Sequence, residues 1–167
     1  TSFTLTLDDV EVQAYHGETL WQVAKRAGET IPHLCFKDAP GYRADGNCRA
    51  CMVEVEGERV LAASCIREAK PGMVVRSAGS TRAQEARKGV LELLLADQPA
   101  RESSPDRSSH LWETADQLAI DVGDVRQRLP ARSERNEPTV HHVEPRSDSL
   151  AHARGHDATH SAMNVNL

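Results

Sequence analysis

The chain has 167 residues, of which only 4% are aromatic, and its mean hydropathy is −0.53, so we expect a small folded domain with an extended appendage rather than one core that uses the whole length. The net charge of −5, without any block of Lys or Arg, excludes a surface built to neutralise nucleic acid or an anionic membrane. No apolar run approaches the ~18 residues of a membrane helix, and no basic stretch followed by an apolar one begins the chain, so we expect a cytoplasmic protein.

The first part of the chain predicts a hairpin followed by a helix. Apolar and polar residues alternate over 3–7 and again over 10–14, and Asp8 and Asp9 separate the two runs, which is typical of two short antiparallel strands. Apolar residues then recur at helical spacing at Leu20, Val23, Ala24 and Ala27. Because Thr19 is a suitable N-cap for these residues, we expect an amphipathic helix that lies across a small sheet.

The middle of the chain predicts a long loop and further strands. Residues 31–50 are rich in Pro, Gly, Asp and Asn and indicate a loop. The stretch "MVEVEGERVLAAS" predicts a second hairpin around a Glu56-Gly57 turn, and "GMVVRSA" predicts one more strand. The strand residues of the hairpin are Met52, Val53 and Val55 before the turn and Val60 and Leu61 after it. This order of elements predicts an α+β fold with one helix on a mixed sheet.

The stretch "STRAQEARKGVLELLLADQP" predicts a longer helix that begins after Ser80 and ends before Pro99. Its predicted apolar face is formed by Ala83, Ala86, Val90, Leu93 and Leu94. Farther along, "SSHLWETADQLAI" predicts a short helix, and the polar sequence after it predicts irregular structure. We therefore divide the chain into a folded domain over 1–79, a helical segment over 80–122 and a flexible tail or linker over 123–167.

All four cysteines, Cys35, Cys48, Cys51 and Cys65, lie within 31 residues, and their spacing is C-x12-C-x2-C-x13-C. Such clustering indicates that they act together. A zinc ribbon usually has two close cysteine pairs, whereas only the middle pair is close here. Disulfides are disfavoured in a chain without a secretory signal.

A two-iron cluster makes a different demand, because backbone N–H groups must point at its sulfur atoms from a loop that wraps it. The stretch "CFKDAPGYRADGNCRAC" meets this demand, since Gly41 and Gly46 let the backbone approach closely. Arg43 and Arg49 in the same stretch are candidates to offset the anionic charge. A structural zinc module used for docking is the alternative.

The stretches "GETLWQVAKRAGETIPHLC" and "GNCRACMVEVEGERVLAASC" resemble the N-terminal two-iron ferredoxin-like domain of the NAD-linked formate dehydrogenase α subunit. Related domains occur in the large iron–sulfur subunit of NADH dehydrogenase and in iron-only hydrogenases. The resemblance covers residues 1–79 and the helix after them. It implies a β-grasp, 2Fe–2S ferredoxin-like fold, with Cys35, Cys48, Cys51 and Cys65 as the metal ligands that bind the 2Fe–2S cluster.

The same resemblance implies electron transfer. Plant-type clusters have potentials of about −400 mV, which the protein can tune widely. The cluster would relay electrons between a formate-oxidising site and a flavin–NAD partner subunit of a multi-subunit oxidoreductase. An NADH dehydrogenase or a hydrogenase is the alternative host. No catalytic acid, nucleophile or substrate pocket is evident in the sequence, so we expect this chain not to oxidise formate by itself.

One departure from the resemblance concerns a second site. Many relatives bind a four-iron cluster after the long helix through a histidine and three cysteines, but this chain has Gln98, Glu102, Pro105 and Leu111 at about those positions. None of these residues replaces a thiolate, and His110 alone does not make a site. We therefore expect no second cluster, with the segment kept as a packing or docking element. Since "HSAMNVNL" resembles the approach to a further ferredoxin domain, we also expect the chain to be part of a larger subunit.

Overall fold

The computed structural model describes residues 1–129, and the segment 130–167 lies outside the described residues, so most of the predicted tail has no structural account. The described part belongs to one compact unit. Among residues 1–129, no helix combines the length and the apolar character needed to cross a membrane.

The predicted N-terminal hairpin is present. Strands β1 (Ser2–Leu7) and β2 (Val10–Tyr15) pair antiparallel in continuous register, from Ser2 opposite Tyr15 to Leu7 opposite Val10. Asp8 and Asp9 form the turn with φ values of 47° and 66°, the positive angles that a two-residue hairpin turn requires. The hairpin buries Leu5, Leu7 and Ala14 against the core.

Five strands form one mixed sheet in the order β2-β1-β5-β3-β4. The other three strands are β3 (Met52–Val55), β4 (Ala62–Ala63) and β5 (Val74–Arg76). Strand β5 runs parallel to β1 and antiparallel to β3, so it joins the two hairpins into a single sheet. The mixed sheet predicted from the sequence is therefore confirmed.

The return strand of the second hairpin begins later than predicted. Val60 and Leu61 lie outside β4, and Val60 is 61% exposed. The register is fixed instead by Ser64, whose N–H and hydroxyl both donate to the carbonyl oxygen of Cys51, at 3.1 and 2.8 Å. These bonds set Ala63 opposite Met52, with Ala63 buried in the core.

Helix α1 (Leu20–Arg26) packs on the sheet as predicted. Thr19 is its N-cap, with a capping box in which the side chains of Thr19 and Gln22 each accept a hydrogen bond from the other's backbone N–H. The helix buries Leu20, Trp21, Val23 and Ala24 in the first hydrophobic core, together with inward side chains of β1, β3 and β5.

Helix α2 (Thr81–Ala96) begins at the predicted cap, because the Ser80 hydroxyl accepts from the N–H of Ala83 at 3.1 Å. Its predicted apolar face is partly wrong, since Leu93 and Leu94 are exposed. The buried residues are Ala83, Arg87, Leu91, Leu95 and Ala96. The buried stripe follows an i, i+4 spacing through one charged residue, which a search for apolar residues alone leaves out.

A second hydrophobic core lies under α2 and two short helices, α3 (His110–Gln117) and α4 (Val122–Arg128). Its buried members are Ala50, Leu91, Leu95, Ala96, Trp112, Ala115, Ile120 and Val125. Helix α4 corrects the prediction of irregular structure from residue 123 onward. It forms because the Asp121 carboxylate caps it and because Val125 finds a buried site.

Candidate metal centre

Each of the four cysteines lies at the edge of the long loop or of the second hairpin. Cys35 and Cys48 are half-buried in the loop, Cys51 directly precedes β3, and Cys65 closely follows β4. Cys51 and Cys65 are buried, and all four thiols are free. The Ser64 bonds that set the β3-β4 register therefore also bring Cys51 and Cys65 to the same end of the hairpin.

The thiols accept backbone hydrogen bonds. The N–H of Cys35 lies 3.5 Å from Cys48 Sγ, and the N–H of Cys48 lies 3.5 Å from Cys35 Sγ. The N–H of Ala50 also donates to Cys48 Sγ at 3.5 Å. Amide groups aimed at sulfur are what a loop around an iron–sulfur cluster must supply.

The pKa shifts show that the four sulfur atoms act on one another. Burial opposes ionisation of Cys48, but the N–H groups of Cys35 and Ala50 outweigh it, so the pKa of this thiol lies below its ordinary value. Burial, together with the nearby sulfur of Cys51, raises the pKa of the Cys65 thiol to about 12. The Cys65 thiolate is therefore disfavoured unless a cation lies beside it, and a bound metal removes that barrier.

The loop contains two residues with positive φ close to the cysteines. Gly46 has φ +65°, and a Cβ atom there would lie 2.6 Å from Ile66 Cδ1. Arg49 has φ +59°, a left-handed conformation that lies between Cys48 and the N–H of Ala50. Gly41 also has a positive φ, but open space surrounds it. Of the two glycines predicted to help the wrap, only Gly46 is needed for a close approach.

The buried cation beside the loop is one that the sequence reasoning missed. Arg43 and Arg49 are exposed, whereas Arg87 on α2 is 4% exposed. Its Nε donates to the carbonyl of Met52 at 2.6 Å, and a terminal nitrogen donates to Ser77 Oγ at 2.8 Å. The pKa of Arg87 lies below its ordinary value, because the effect of burial outweighs the opposite effects of Cys51 and Asp8. The signal was available, because Arg87 lies four residues after Ala83 and four before Leu91.

The structure places the residues that stand at the positions of the relatives' second cluster on the surface or against the second core. Gln98, Glu102 and Pro105 are exposed, and Leu111 packs against the second core. The His110 ring instead contacts the ring of His33, with centroids 5.0 Å apart. Burial is the main cause that lowers the pKa of His33.

The cysteine donor set fits a two-iron group better than a single ion. The cysteines form two pairs: Cys35 and Cys48 are joined by two N–H···S hydrogen bonds, and Cys51 and Cys65 lie at the same end of the second hairpin. A 2Fe–2S cluster takes two protein ligands on each iron, so two pairs satisfy it.

Comparison with known proteins agrees with this geometry. Residues 1–80 match the family described as "2Fe-2S iron-sulfur cluster binding domain". This part of the chain is therefore a 2Fe–2S ferredoxin-like domain, and its cofactor is a 2Fe–2S cluster. More particularly, it is similar to parts of NADH-quinone oxidoreductase, NADH-ubiquinone oxidoreductase and NAD+-reducing hydrogenase.

Two curated relatives and one solved structure illustrate this similarity. An NADH-quinone oxidoreductase subunit of Rickettsia bellii is 37% identical over 95 residues, which are 57% of this chain and 14% of the relative. The mitochondrial NADH-ubiquinone oxidoreductase 78 kDa subunit of Neurospora crassa is 42% identical over 95 residues, 57% of this chain and 12% of that protein. The chain thus spans a small part of these relatives.

The similar solved structure is the crystal structure of NAD+-reducing [NiFe]-hydrogenase in the H2-reduced state. The TM-score is 0.61 at 34% identity, and the match covers 72% of this chain and 50% of that chain. This share of the chain is larger than the share that residues 1–80 make up. The similarity therefore extends into the helical segment that contains α2.

Proposed function

We propose that Cys35, Cys48, Cys51 and Cys65 are the four ligands of the 2Fe–2S cluster. The chain has four cysteines in all, and all four lie inside the matched domain. The observation that carries the proposal is geometric: backbone N–H groups are directed at Cys35 and Cys48 Sγ, and Cys51 and Cys65 lie at the same end of the second hairpin. A 2Fe–2S cluster bound by four thiolates therefore needs all four cysteines of the chain.

The proposed activity is electron transfer. When bound, the 2Fe–2S cluster supplies one-electron chemistry in which one iron alternates between ferric and ferrous states. The chain's own residues hold the group and control its surroundings. Cys51 and Cys65 are buried in the first core, and Ala50 and Cys48 pack with the second core, so the two cores shield the inner side of the cysteine site from water.

The proposed host is a multi-subunit NAD-linked oxidoreductase that has a flavin- or NAD-binding partner. The sequence resemblance supports a formate dehydrogenase, in which the cluster would pass electrons from formate oxidation toward NAD. The names of the relatives support a second candidate host of the NADH dehydrogenase or NAD-reducing hydrogenase type. In each host the chain has the same role, which is to carry one electron at a time.

Substitution of a central cysteine tests the ligand assignment. We expect Cys48→Ser and Cys51→Ser to lower the visible iron–sulfur absorbance per chain by about tenfold or more, because a neutral hydroxyl replaces a thiolate ligand. Asn47→Ser is the matched control, since Asn47 is exposed beside Cys48 and its variant should keep the full absorbance. A Cys48→Ser or Cys51→Ser chain with full absorbance would show that the substituted residue is not a ligand.

Affinity purification of the tagged chain from its native cells distinguishes the hosts. The purified complex is supplied with formate, NADH or H2 as the electron donor, and reduction of a viologen dye is followed. Formate-dependent reduction supports the formate dehydrogenase host, and reduction with NADH or H2 alone supports the second candidate. A complex that none of the three donors reduces contradicts both.

A further inference from the structure

Arg87 is a buried charge without a charged partner in direct contact. Its guanidinium group donates to two neutral acceptors, the carbonyl oxygen of Met52 and the hydroxyl of Ser77. Among the ion pairs formed within residues 1–129, none includes Arg87. Asp8 is the carboxylate whose charge acts on it, but that carboxylate accepts hydrogen bonds from the N–H groups of residues 77–79.

Burial of a cation such as Arg87 costs free energy unless an anion lies near it. A buried guanidinium group keeps its proton, so it must be stabilised as a cation. Its neighbours along the buried stripe of α2 are Ala83 and Leu91, which offer no negative charge. Hydrogen bonds to neutral oxygen atoms satisfy the N–H groups, but they do not balance the charge.

Besides Asp8, the anion that the geometry offers is the cysteine site. Arg87 Nε is held at 2.6 Å from the carbonyl oxygen of Met52, the residue that follows Cys51. A negative charge at Cys51 would raise the pKa of Arg87, against the larger lowering effect of burial. A 2Fe–2S cluster with four thiolate ligands is anionic, because the thiolates and sulfides outweigh the two ferric ions.

We propose that Arg87 is the buried counterion of the 2Fe–2S cluster and that its charge raises the midpoint potential of the cluster. This inference rests on the cysteine ligation proposed above. Reduction adds one electron and breaks no bond, so the reduced cluster carries one more negative charge than the oxidised one. A fixed cation nearby stabilises the reduced form more strongly and makes the cluster easier to reduce. Exposed Arg43 and Arg49 have a weaker effect because water and salt screen them.

Redox titration of the full, cluster-loaded chain tests the proposal. Dithionite supplies the electron, and the reduced cluster is followed by electron paramagnetic resonance at each applied potential. We expect Arg87→Gln to shift the midpoint to lower potential and Arg87→Lys to retain most of the wild-type value. Arg82→Gln is the matched control, because it removes the same charge from the same helix at a side chain that is 51% exposed, and it should leave the midpoint unchanged.

A second pair of variants keeps Arg87 in place and changes only its charge balance. Ser77→Asp sets a carboxylate where the guanidinium group now contacts a hydroxyl, so it should lower the midpoint as Arg87→Gln does. Ser77→Asn has nearly the same shape without the charge and should not. This pair gives an answer even if Arg87→Gln fails to assemble a cluster.

The outcomes separate the inference from the function on which it rests. Loss of cluster content in Arg87→Gln, with an unchanged midpoint in the loaded fraction, would mean that Arg87 is structural and would overturn the inference. Equal midpoints for Ser77→Asp and Ser77→Asn would overturn it as well. A wild-type chain that assembles no cluster contradicts the proposed function itself, and the inference falls with it.

Discussion

At the scale of single residues, Gly46 is the tightest point of the cysteine loop. Gly46 and Gly41 both have positive φ, +65° and +78°, but only at Gly46 would a Cβ atom meet a neighbour, Ile66 Cδ1, at 2.6 Å. The cost of a left-handed alanine is about 1–2 kcal/mol at either position. The contact with Ile66 is an additional cost at Gly46 alone.

We therefore expect Gly46→Ala to lower the free energy of unfolding of the cluster-loaded chain by ~1 kcal/mol more than Gly41→Ala does, and so to lower its Tm further. Thermal unfolding followed by circular dichroism measures the difference. In a chain that already carries Ile66→Ala, the substitution Gly46→Ala should lower the Tm by less than it does in the wild type. Equal Tm values for Gly46→Ala and Gly41→Ala would show that the close approach to Ile66 does not constrain the loop.

The sequence marks the candidate ligands strongly, whereas it marks the buried cation only weakly, by its spacing from Ala83 and Leu91. Ligands of one cluster lie close together along this chain, so the spacing of four cysteines carries the information. Arg87 is different, because an arginine on a helix is normally assigned to the solvent face. Its burial depends on Met52 and Ser77, residues far from it in sequence, which bring oxygen acceptors to the underside of α2.

At the scale of secondary-structure elements, Asp8 joins the first hairpin to the start of α2. Its carboxylate accepts hydrogen bonds from the backbone N–H groups of Ser77, Ala78 and Gly79 at 2.7, 3.0 and 2.9 Å. These three groups belong to the segment between β5 and the N-cap of α2. One side chain in the β1-β2 turn therefore fixes where the helix begins.

Asp8→Asn should lower the free energy of unfolding by about 1–3 kcal/mol, because the amide nitrogen cannot accept and the charge is lost. Asp9→Asn is the matched control, since Asp9 also has a positive φ and asparagine tolerates that conformation. Thermal unfolding of the two variants at neutral pH measures the effect. If the Tm of Asp8→Asn were no lower than that of Asp9→Asn, the hydrogen bonds of Asp8 would not hold the start of α2.

A second prediction at this scale concerns Trp112, which is buried in the second core, the core that also includes Ala50 of the cysteine loop. Trp112→Ala should cost about 3–5 kcal/mol of stability and should loosen the helices that cover the loop. Leu93→Ala, at a position on α2 that is 62% exposed, should change stability by no more than about 0.5 kcal/mol.

The readout is the decay of visible cluster absorbance in air, compared with the Tm of each variant. We expect Trp112→Ala to lose its cluster faster than both the wild type and Leu93→Ala. If Trp112→Ala loses its cluster at the wild-type rate, the second core does not protect the site.

Elements with local signals were predictable, and those that depend on distant contacts were not. The first hairpin and α1 follow from a turn pair and a capping box, which lie within a few residues of the structure they define. The start of β4 depends on Ser64 and the carbonyl of Cys51, thirteen residues away. Helix α4 required the second core to exist before Val125 had a place to pack.

At the scale of the whole molecule, the cysteine loop lies between two hydrophobic cores. Cys51 and Cys65 belong to the first core, while Ala50 belongs to the second, and Cys48 packs against it. The helical segment is thus part of the environment of the site, although it has none of the cysteines that a second cluster would need. The domain boundaries at 79 and 122 remain predictions. The match to the hydrogenase structure, which covers 72% of this chain, agrees with a unit larger than residues 1–80.

The stoichiometry of metal, sulfide and electrons in the purified full chain tests the central claim most directly. We predict a red-brown protein with two irons and two sulfides per chain, visible bands above about 400 nm, and uptake of one electron per chain when dithionite is added. The reduced protein should give one unpaired spin for each pair of irons. A colourless chain with one zinc ion held by the four cysteines and no response to dithionite would contradict the account.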